Sequence, residues 1–153
     1  MIFSGKNFEF ELGKKTYIMG ILNVTEDSFY DGGKYNTPEK AVARVKEILN
    51  EGADIIDIGA HSTRPNHKEL TEKEELEIIK NYLPLIYNET GAIISVDTFY
   101  PSVAEYALQN GASIINDVSG VFNEKMAELV VKYNCGWVIM HTGGGDAITV
   151  PEY

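Results

Sequence analysis

Short apolar runs alternate with segments of helical periodicity along the chain. Five runs predict β-strands, at residues 17–25, 54–60, 92–98, 113–119 and 136–142. Several are continuously apolar, such as Ile55-Ile56 and Ile93-Ile94, where a half-exposed strand would alternate. Continuous apolar runs are typical of strands covered on both faces in a parallel sheet. The pattern therefore predicts an α/β fold built on parallel strands.

Helices are predicted between these strands from their start and stop residues. The predicted starts share capping chemistry and are Thr37 with Pro38, the capping box of Thr71 with Glu74, Pro101, and Asn123. Gly52 and Gly111 predict helix ends. Pro84 is expected to kink or end the second helix, because proline lacks the backbone N–H that the helix needs.

This series of strands and helices fits either a doubly wound sheet or a closed barrel. Two observations favour a TIM-type (β/α)8 barrel: no G-x-G-x-x-G follows the first strand, and polar residues end every strand. A complete barrel needs on the order of 250 residues, so residues 1–153 are expected to form a partial barrel domain of about five β/α units. Phe8, Phe10 and Leu12, around residues 13–15, predict a short N-terminal β-hairpin that plugs the barrel floor.

Charge and composition exclude several partners. The 153-residue chain has a net charge of -10 and 44% hydrophobic residues, so nucleic acid and anionic membranes are poor partners. An anionic substrate would need a local cation, a metal ion or backbone N–H groups. No stretch resembles a signal peptide or a membrane span, which predicts a cytoplasmic protein. The single cysteine, Cys135, is expected to be a small buried hydrophobe.

Two loops after strands offer groups for an anion or a metal. Asn23 begins a loop rich in oxygen ligands and glycine, which suits Mg²⁺ or, alternatively, a set of Asx turns. Arg64 follows the second strand and can hold an anion through its guanidinium fork, although a solvated surface arginine is the plain alternative. His61 is expected to be a loop residue. Phe29 is an aromatic in a polar loop that could cover an aromatic substrate.

The next strand ends offer hydrogen-bonding groups for a flat ring. Asp97 ends an apolar strand, where a carboxylate is costly unless it is paired with donors. A heterocycle with adjacent N–H groups supplies such donors, and Asn116 adds a donor and an acceptor beside it. Asp57 and Asp117 are expected to be structural, holding loops or neighbouring strands together.

Five motifs in order carry a resemblance to a known family. They are MGILNVTEDSF (19–29), GAHSTRP (59–65), SVDT (95–98), INDVSG (115–120) and MH (140–141). Together they resemble dihydropteroate synthases. The resemblance implies a pterin-binding barrel that joins 6-hydroxymethyl-7,8-dihydropterin pyrophosphate to p-aminobenzoate, forming 7,8-dihydropteroate and pyrophosphate in folate biosynthesis.

The resemblance also implies roles for individual residues. Asp97, Asn116 and Met140 are implied to bind the pterin, and Asn23 to meet Mg²⁺ and the pyrophosphate. Phe29, Thr63 and Arg64 are implied to lie in the two loops that order around p-aminobenzoate. A homodimer of complete barrels is implied as the assembly.

The chain departs from the family pattern in three respects. Glu26 stands where the family usually has proline, and His61 where it usually has glutamate. The later family motifs D-P-G-x-G-F, S-R-K and R-x-H have no counterpart, so the 153-residue chain is expected to be inactive alone. Two alternatives stay open: a noncatalytic pterin-binding or scaffold fragment that needs a partner chain, and a pterin-dependent methyltransferase.

Overall fold

The computed structural model describes residues 1–24, 37–60 and 70–141 of the chain. Within these ranges the strands are β1 (Ile2–Gly5), β2 (Phe8–Glu11), β3 (Met19–Asn23), β4 (Ile55–Gly59), β5 (Ile94–Asp97), β6 (Ala112–Asp117) and β7 (Gly136–Ile139). The helices are α1 (Pro38–Asn50), α2 (Glu72–Thr90), α3 (Pro101–Gln109) and α4 (Glu124–Tyr133). No helix in these ranges combines the length and apolar character that crossing a bilayer requires.

The predicted parallel sheet is present, and its strands follow chain order. The sheet runs β3-β4-β5-β6-β7, and every neighbouring pair is parallel. Each helix therefore crosses between adjacent strands, and successive helices pack against one another around one side of the sheet. This progression without reversal is that of a β/α barrel, whereas a doubly wound sheet reverses its strand order.

Local capping chemistry sets the helix starts, as the sequence predicts. The Thr71 side chain accepts a hydrogen bond from the backbone N–H of Glu74, whose carboxylate accepts one from the N–H of Thr71. Thr37 and Asn123 likewise accept hydrogen bonds from the third residue beyond them. These bonds satisfy N–H groups that the first helical turn leaves without partners.

Of the two outcomes expected at Pro84, a kink or a helix end, the end is wrong, because α2 continues to Thr90. The residues on either side of the proline explain its persistence. Leu83 and Ile86 are fully buried in the core between the helices and the sheet. Tertiary packing of this apolar face outweighs the hydrogen bond that proline removes.

The N-terminal hairpin exists, but its turn is not where the sequence placed it. β1 and β2 pair antiparallel from Ile2 with Glu11 to Gly5 with Phe8, so residues 6 and 7 close the hairpin. The expected turn at residues 13–15 instead follows β2 and leads toward β3. Both strands of the hairpin lie before Leu12, and the rings of Phe3, Phe8 and Phe10 pack in series along them.

The hairpin covers the amino ends of the parallel strands. Phe8 and Phe10 are buried against Ile55 and Ile114, and their rings continue an aromatic row that includes Tyr17. Ile55 is the first residue of β4, and partly buried side chains from the starts of β3 and β5 join the same cluster. The hairpin therefore lies at the amino end of the sheet, which is the position predicted for it.

Side chains on the parallel strands alternate between two faces of the sheet. One face packs under the helices and supplies the large core, including Ile56, Ile58 and Val96. The other, which we call the inner face, carries Ile55 and Ile114 at the floor. Because side chains alternate along a strand, the register places the polar residues at the opposite strand ends on this inner face.

Candidate active site at the carboxyl ends of the strands

Four residues form one row across the carboxyl end of the inner face. Asn23 pairs in register with Gly59, Gly59 with Asp97, and Asp97 with Asn116. Asn23 is exposed, whereas Asp97 and Asn116 are half-buried. The sequence predicted that the polar strand ends would converge, and the register brings together three of the predicted site residues on successive or alternate strands.

Gly59 leaves the space between Asn23 and Asp97 open. A β-carbon built on Gly59 would lie 3.2 Å from Asn23 Oδ1 and 3.6 Å from Asp97 Oδ2. The amide oxygen and the carboxylate therefore flank bare backbone. Sequence reasoning did not single out this glycine, although glycine within a strand is a known signal for close approach of a ligand or another chain segment.

A hydrogen bond below this row joins Asn116 to Asp57. Asn116 Nδ2 donates to Asp57 Oδ2 over 3.2 Å, and Asp57 is only 5% exposed. Asp57 does link strands, as the sequence suggested, but the strand partner is itself a predicted site residue. Asp117 has the expected structural role, because its Oδ1 accepts hydrogen bonds from the backbone N–H and the hydroxyl of Ser119.

The row can bind a flat polar ring from one edge. The Asp97 carboxylate only accepts hydrogen bonds, and the Asn116 amide oxygen is a second acceptor one strand away. Charge-assisted bonds of this kind are the stronger class, and removing solvent from them strengthens them further. The arrangement therefore suits a heterocycle that presents neighbouring N–H groups.

The exposed Asn23 amide is suited to contribute one ligand to a hard cation. Mg²⁺ binds through one or two protein oxygens and keeps waters or substrate phosphates in its other positions. Within the described ranges no group of three His, Cys, Asp or Glu side chains is arranged to hold a metal. Asn23 offers one such oxygen ligand, and the described residues form no dedicated metal cage.

Met140 lies just beyond β7, next to the end of β6. Its backbone N–H donates to the carbonyl oxygen of Asp117 over 3.0 Å, which extends the sheet contact by one residue. The side chain is partly exposed. Three other predicted site residues, Phe29, Thr63 and Arg64, lie outside the described residues, as do Glu26 and His61.

Cys135 is buried directly before β7, as expected for a small core residue. Burial raises the pKa of the Cys135 thiol to about 11. Because the thiolate is the nucleophilic form, the raised pKa makes this thiol a poor nucleophile at neutral pH.

Comparison with known proteins gives a consistent family. The model of the pterin-binding enzyme family matches residues 19–151. A dihydropteroate synthase of Clostridium beijerinckii is 46% identical over 134 residues, which are 87% of this chain and 50% of that protein. One from Bacillus subtilis is 48% identical over 129 residues, covering 84% of this chain and 45% of that protein.

Solved structures give the same result. The dihydropteroate synthase of Clostridium difficile, crystallised in the presence of pteroic acid, has a TM-score of 0.80 and 41% identity. The match covers 94% of this chain and 54% of the Clostridium difficile chain. The Yersinia pestis dihydropteroate synthase in complex with a sulfonamide drug has a TM-score of 0.83 and 32% identity. That match covers 100% of this chain and 56% of the Yersinia pestis chain. The chain spans about half the length of the curated relatives it matches.

Proposed function

The chain belongs to the family of pterin-binding enzymes, and from this premise we propose that it is the pterin-binding part of a dihydropteroate synthase. The proposed reaction condenses 6-hydroxymethyl-7,8-dihydropterin pyrophosphate with p-aminobenzoate. The bond between the pterin methylene carbon and the pyrophosphate oxygen breaks, and the arylamine nitrogen bonds to that carbon. The amine loses one proton, and pyrophosphate leaves.

One observation carries this proposal: Asp97 and Asn116 stand side by side in register at the carboxyl end of the inner face. A pterin presents a row of ring and amino N–H groups along one edge, which complements a carboxylate beside an amide oxygen. In this proposal the two residues orient the ring, and Met140 lies along the same pocket.

Asn23 is proposed to face the pyrophosphate end of the substrate. Asn23 is on β3, and Gly59 on β4 separates it from Asp97 on β5. The Asn23 side chain is exposed. Mg²⁺, when bound there with the pyrophosphate, would neutralise the charge of the leaving group. Asn23 would supply one oxygen ligand and keep the pyrophosphate at a fixed distance from the ring held by Asp97.

The second substrate is assigned to the two loops that follow β3 and β4. Phe29 is proposed to cover the ring of p-aminobenzoate, and Thr63 and Arg64, in the loop after β4, are proposed to contact the same substrate. An arginine there meets the need for a local cation in a chain with a net charge of -10. We place the enzyme in the cytoplasm and propose that it functions as a homodimer.

Pterin binding by the purified chain tests the proposal directly. We expect 6-hydroxymethylpterin to bind the wild-type chain in isothermal titration calorimetry. Asp97→Asn should weaken binding at least tenfold, because it removes a charge-assisted acceptor. Asp54→Asn is the matched control, since Asp54 lies at the amino end of β4 and bonds Lys15 and the backbone of Ile18. Equal affinities for the wild type and Asp97→Asn would refute the proposed ring site.

A coupled assay with both substrates tests turnover. We expect the 153-residue chain to bind the pterin but to form dihydropteroate slowly or not at all, because the family motifs D-P-G-x-G-F, S-R-K and R-x-H have no counterpart in it. Turnover at the rate of a full-length relative would show that these motifs are dispensable.

A scaffold role is a second candidate, and the edges of the sheet favour it. Ile21 on edge strand β3 is 67% exposed, and Ile139 on edge strand β7 is 51% exposed. Exposed apolar strand edges invite pairing with another chain. Light scattering coupled to size exclusion decides this point: a stable monomer would count against the scaffold. A pterin-dependent methyltransferase has no comparable support, since the relatives are named as synthases.

A further inference from the structure

Two buried polar side chains lie on the inner face directly below the row of Asn23, Gly59, Asp97 and Asn116. Asp57 on β4 is 5% exposed, and Ser95 on β5 is fully buried. The two residues are register neighbours. Among the described residues, Asp57 Oδ1 and the Ser95 hydroxyl are buried without a hydrogen-bond partner, and such groups call for a physical explanation.

The bond from Asn116 to Asp57 passes over a whole strand. Asn116 is on β6 and Asp57 on β4, with β5 between them. Neighbouring strands lie about 4.8 Å apart, so the two side chains reach toward each other across roughly 10 Å of sheet. They meet at the level of β5 between Ser95 and Asp97. The bond ties no loop and caps no helix, and it fixes the Asn116 side chain instead.

The chemistry of this bond determines which atom Asn116 offers to a ligand. A carboxylate only accepts hydrogen bonds, so the amide must turn its nitrogen toward Asp57. The amide oxygen then points away from Asp57 and is available as an acceptor beside the Asp97 carboxylate. A neutral partner at position 57 could accept or donate, and would leave the amide free to turn over.

We propose that Asp57 is a positioning residue that selects for ligands with N–H donors by fixing the orientation of the Asn116 amide. The inference rests on the proposed pterin site, and Asp57 acts there through Asn116. It also explains why a buried carboxylate with one 3.2 Å bond is present at all. Burying a charge with so little compensation costs stability, and functional sites commonly carry such a cost.

A variant at Asp57 distinguishes a positioning role from a structural one, because positioning predicts lower ligand affinity without lower stability. In Asp57→Asn we expect the affinity for 6-hydroxymethylpterin to fall about tenfold, while the unfolding midpoint stays the same or rises because a buried charge is removed. The control is Asp117→Asn, an equally buried aspartate on the helix-covered face whose bonds go to Ser119. Asp117→Asn should lower the midpoint and leave the affinity within twofold.

Unchanged affinity in Asp57→Asn would overturn the proposal, and a lower unfolding midpoint beside it would show that Asp57 is structural. Rescue provides a further check: in the double variant Asp57→Asn with Asn116→Asp, the carboxylate at 116 accepts from the amide at 57 and still offers an acceptor to the ring. Affinity should recover relative to Asn116→Asp alone, in which two carboxylates face each other. Absence of recovery would also count against positioning.

A ligand-free measurement keeps the positioning role separate from the proposed function. In ¹H–¹⁵N spectra, the Asn116 side-chain amide proton bonded to Asp57 should be shifted downfield and exchange slowly with water. Asp57→Asn should move that resonance upfield and speed its exchange. If the wild-type chain binds no pterin, the proposed function fails, and this spectrum alone decides the role of Asp57: an unchanged Asn116 amide would refute it.

Discussion

Replacing Gly59 with alanine adds one methyl group at the centre of the candidate site. The new β-carbon would lie 3.2 Å from Asn23 Oδ1 and 3.6 Å from both the β-carbon and Oδ2 of Asp97. Only the first contact is tighter than ordinary van der Waals distance, and Asn23 is exposed and can shift by a few tenths of an ångström. Alanine also restricts the unfolded chain, which contributes about 0.4–1 kcal/mol of stability at a compatible position.

We therefore expect Gly59→Ala to unfold within about 1 kcal/mol of the wild type in urea titrations. Pterin affinity should nevertheless fall at least tenfold, or about 1.4 kcal/mol, because the methyl fills the gap between the amide and the carboxylate. Calorimetric titration with 6-hydroxymethylpterin measures this difference. Binding within twofold of the wild type would show that the ligand does not use the gap over Gly59.

A double variant identifies the cause of the loss. If the methyl acts only by displacing the Asn23 amide, Asn23→Ala with Gly59→Ala should bind as Asn23→Ala does alone. If the methyl obstructs the ring itself, the double variant should be weaker than Asn23→Ala. The two substitutions touch each other, so additivity cannot be assumed and both single variants are needed.

Three further predictions concern the remainder of the described fold. Burial holds the pKa of Cys135 at about 11, so iodoacetamide should label the chain only after unfolding, and rapid labelling of the native chain would contradict this. The hydrogen bond from Lys15 holds the pKa of Asp54 below its ordinary 3.8. The stabilisation that ionised Asp54 gives the folded state is therefore present above about pH 4 and lost as pH falls through the lowered pKa. Thermal melts of Asp54→Asn should therefore converge with the wild type in acid. Gly136→Ala should cost about 1–3 kcal/mol by urea titration, because its β-carbon would lie 2.6 Å from the ring of Phe3; an unchanged midpoint would mean that the hairpin is not packed there.

Much of the fold could be predicted because its signals are local. Thr71 and Glu74 lie within one helical turn, so their capping box forms wherever the helix goes. The strand ends that carry Asn23, Asp97 and Asn116 were predictable from the same alternation of apolar runs and helices. Parallel crossovers place successive strand ends at one edge of a sheet, so their convergence followed from topology alone.

The errors arose where packing between distant segments outweighed a local signal. Pro84 is a helix breaker by local rules, yet the buried faces on both sides of it keep α2 intact. Gly13 suggested the hairpin turn, but the strands that pair around residues 6 and 7 bury Phe8 and Phe10 against Ile55 and Ile114. In each case the decisive contacts were with residues far along the chain.

The sequence by itself determined the order of strands and helices, the caps, and the residue types at the strand ends, because each depends on neighbours within a few positions. Only the tertiary structure decided that Gly59 separates Asn23 from Asp97, and that Asn116 turns its amide toward Asp57, 59 positions away. Strand register and the packing of side chains across β5 fix those contacts. Neither is encoded in any local stretch of the chain, so the direction in which the site presents its acceptors could be read only from the folded sheet.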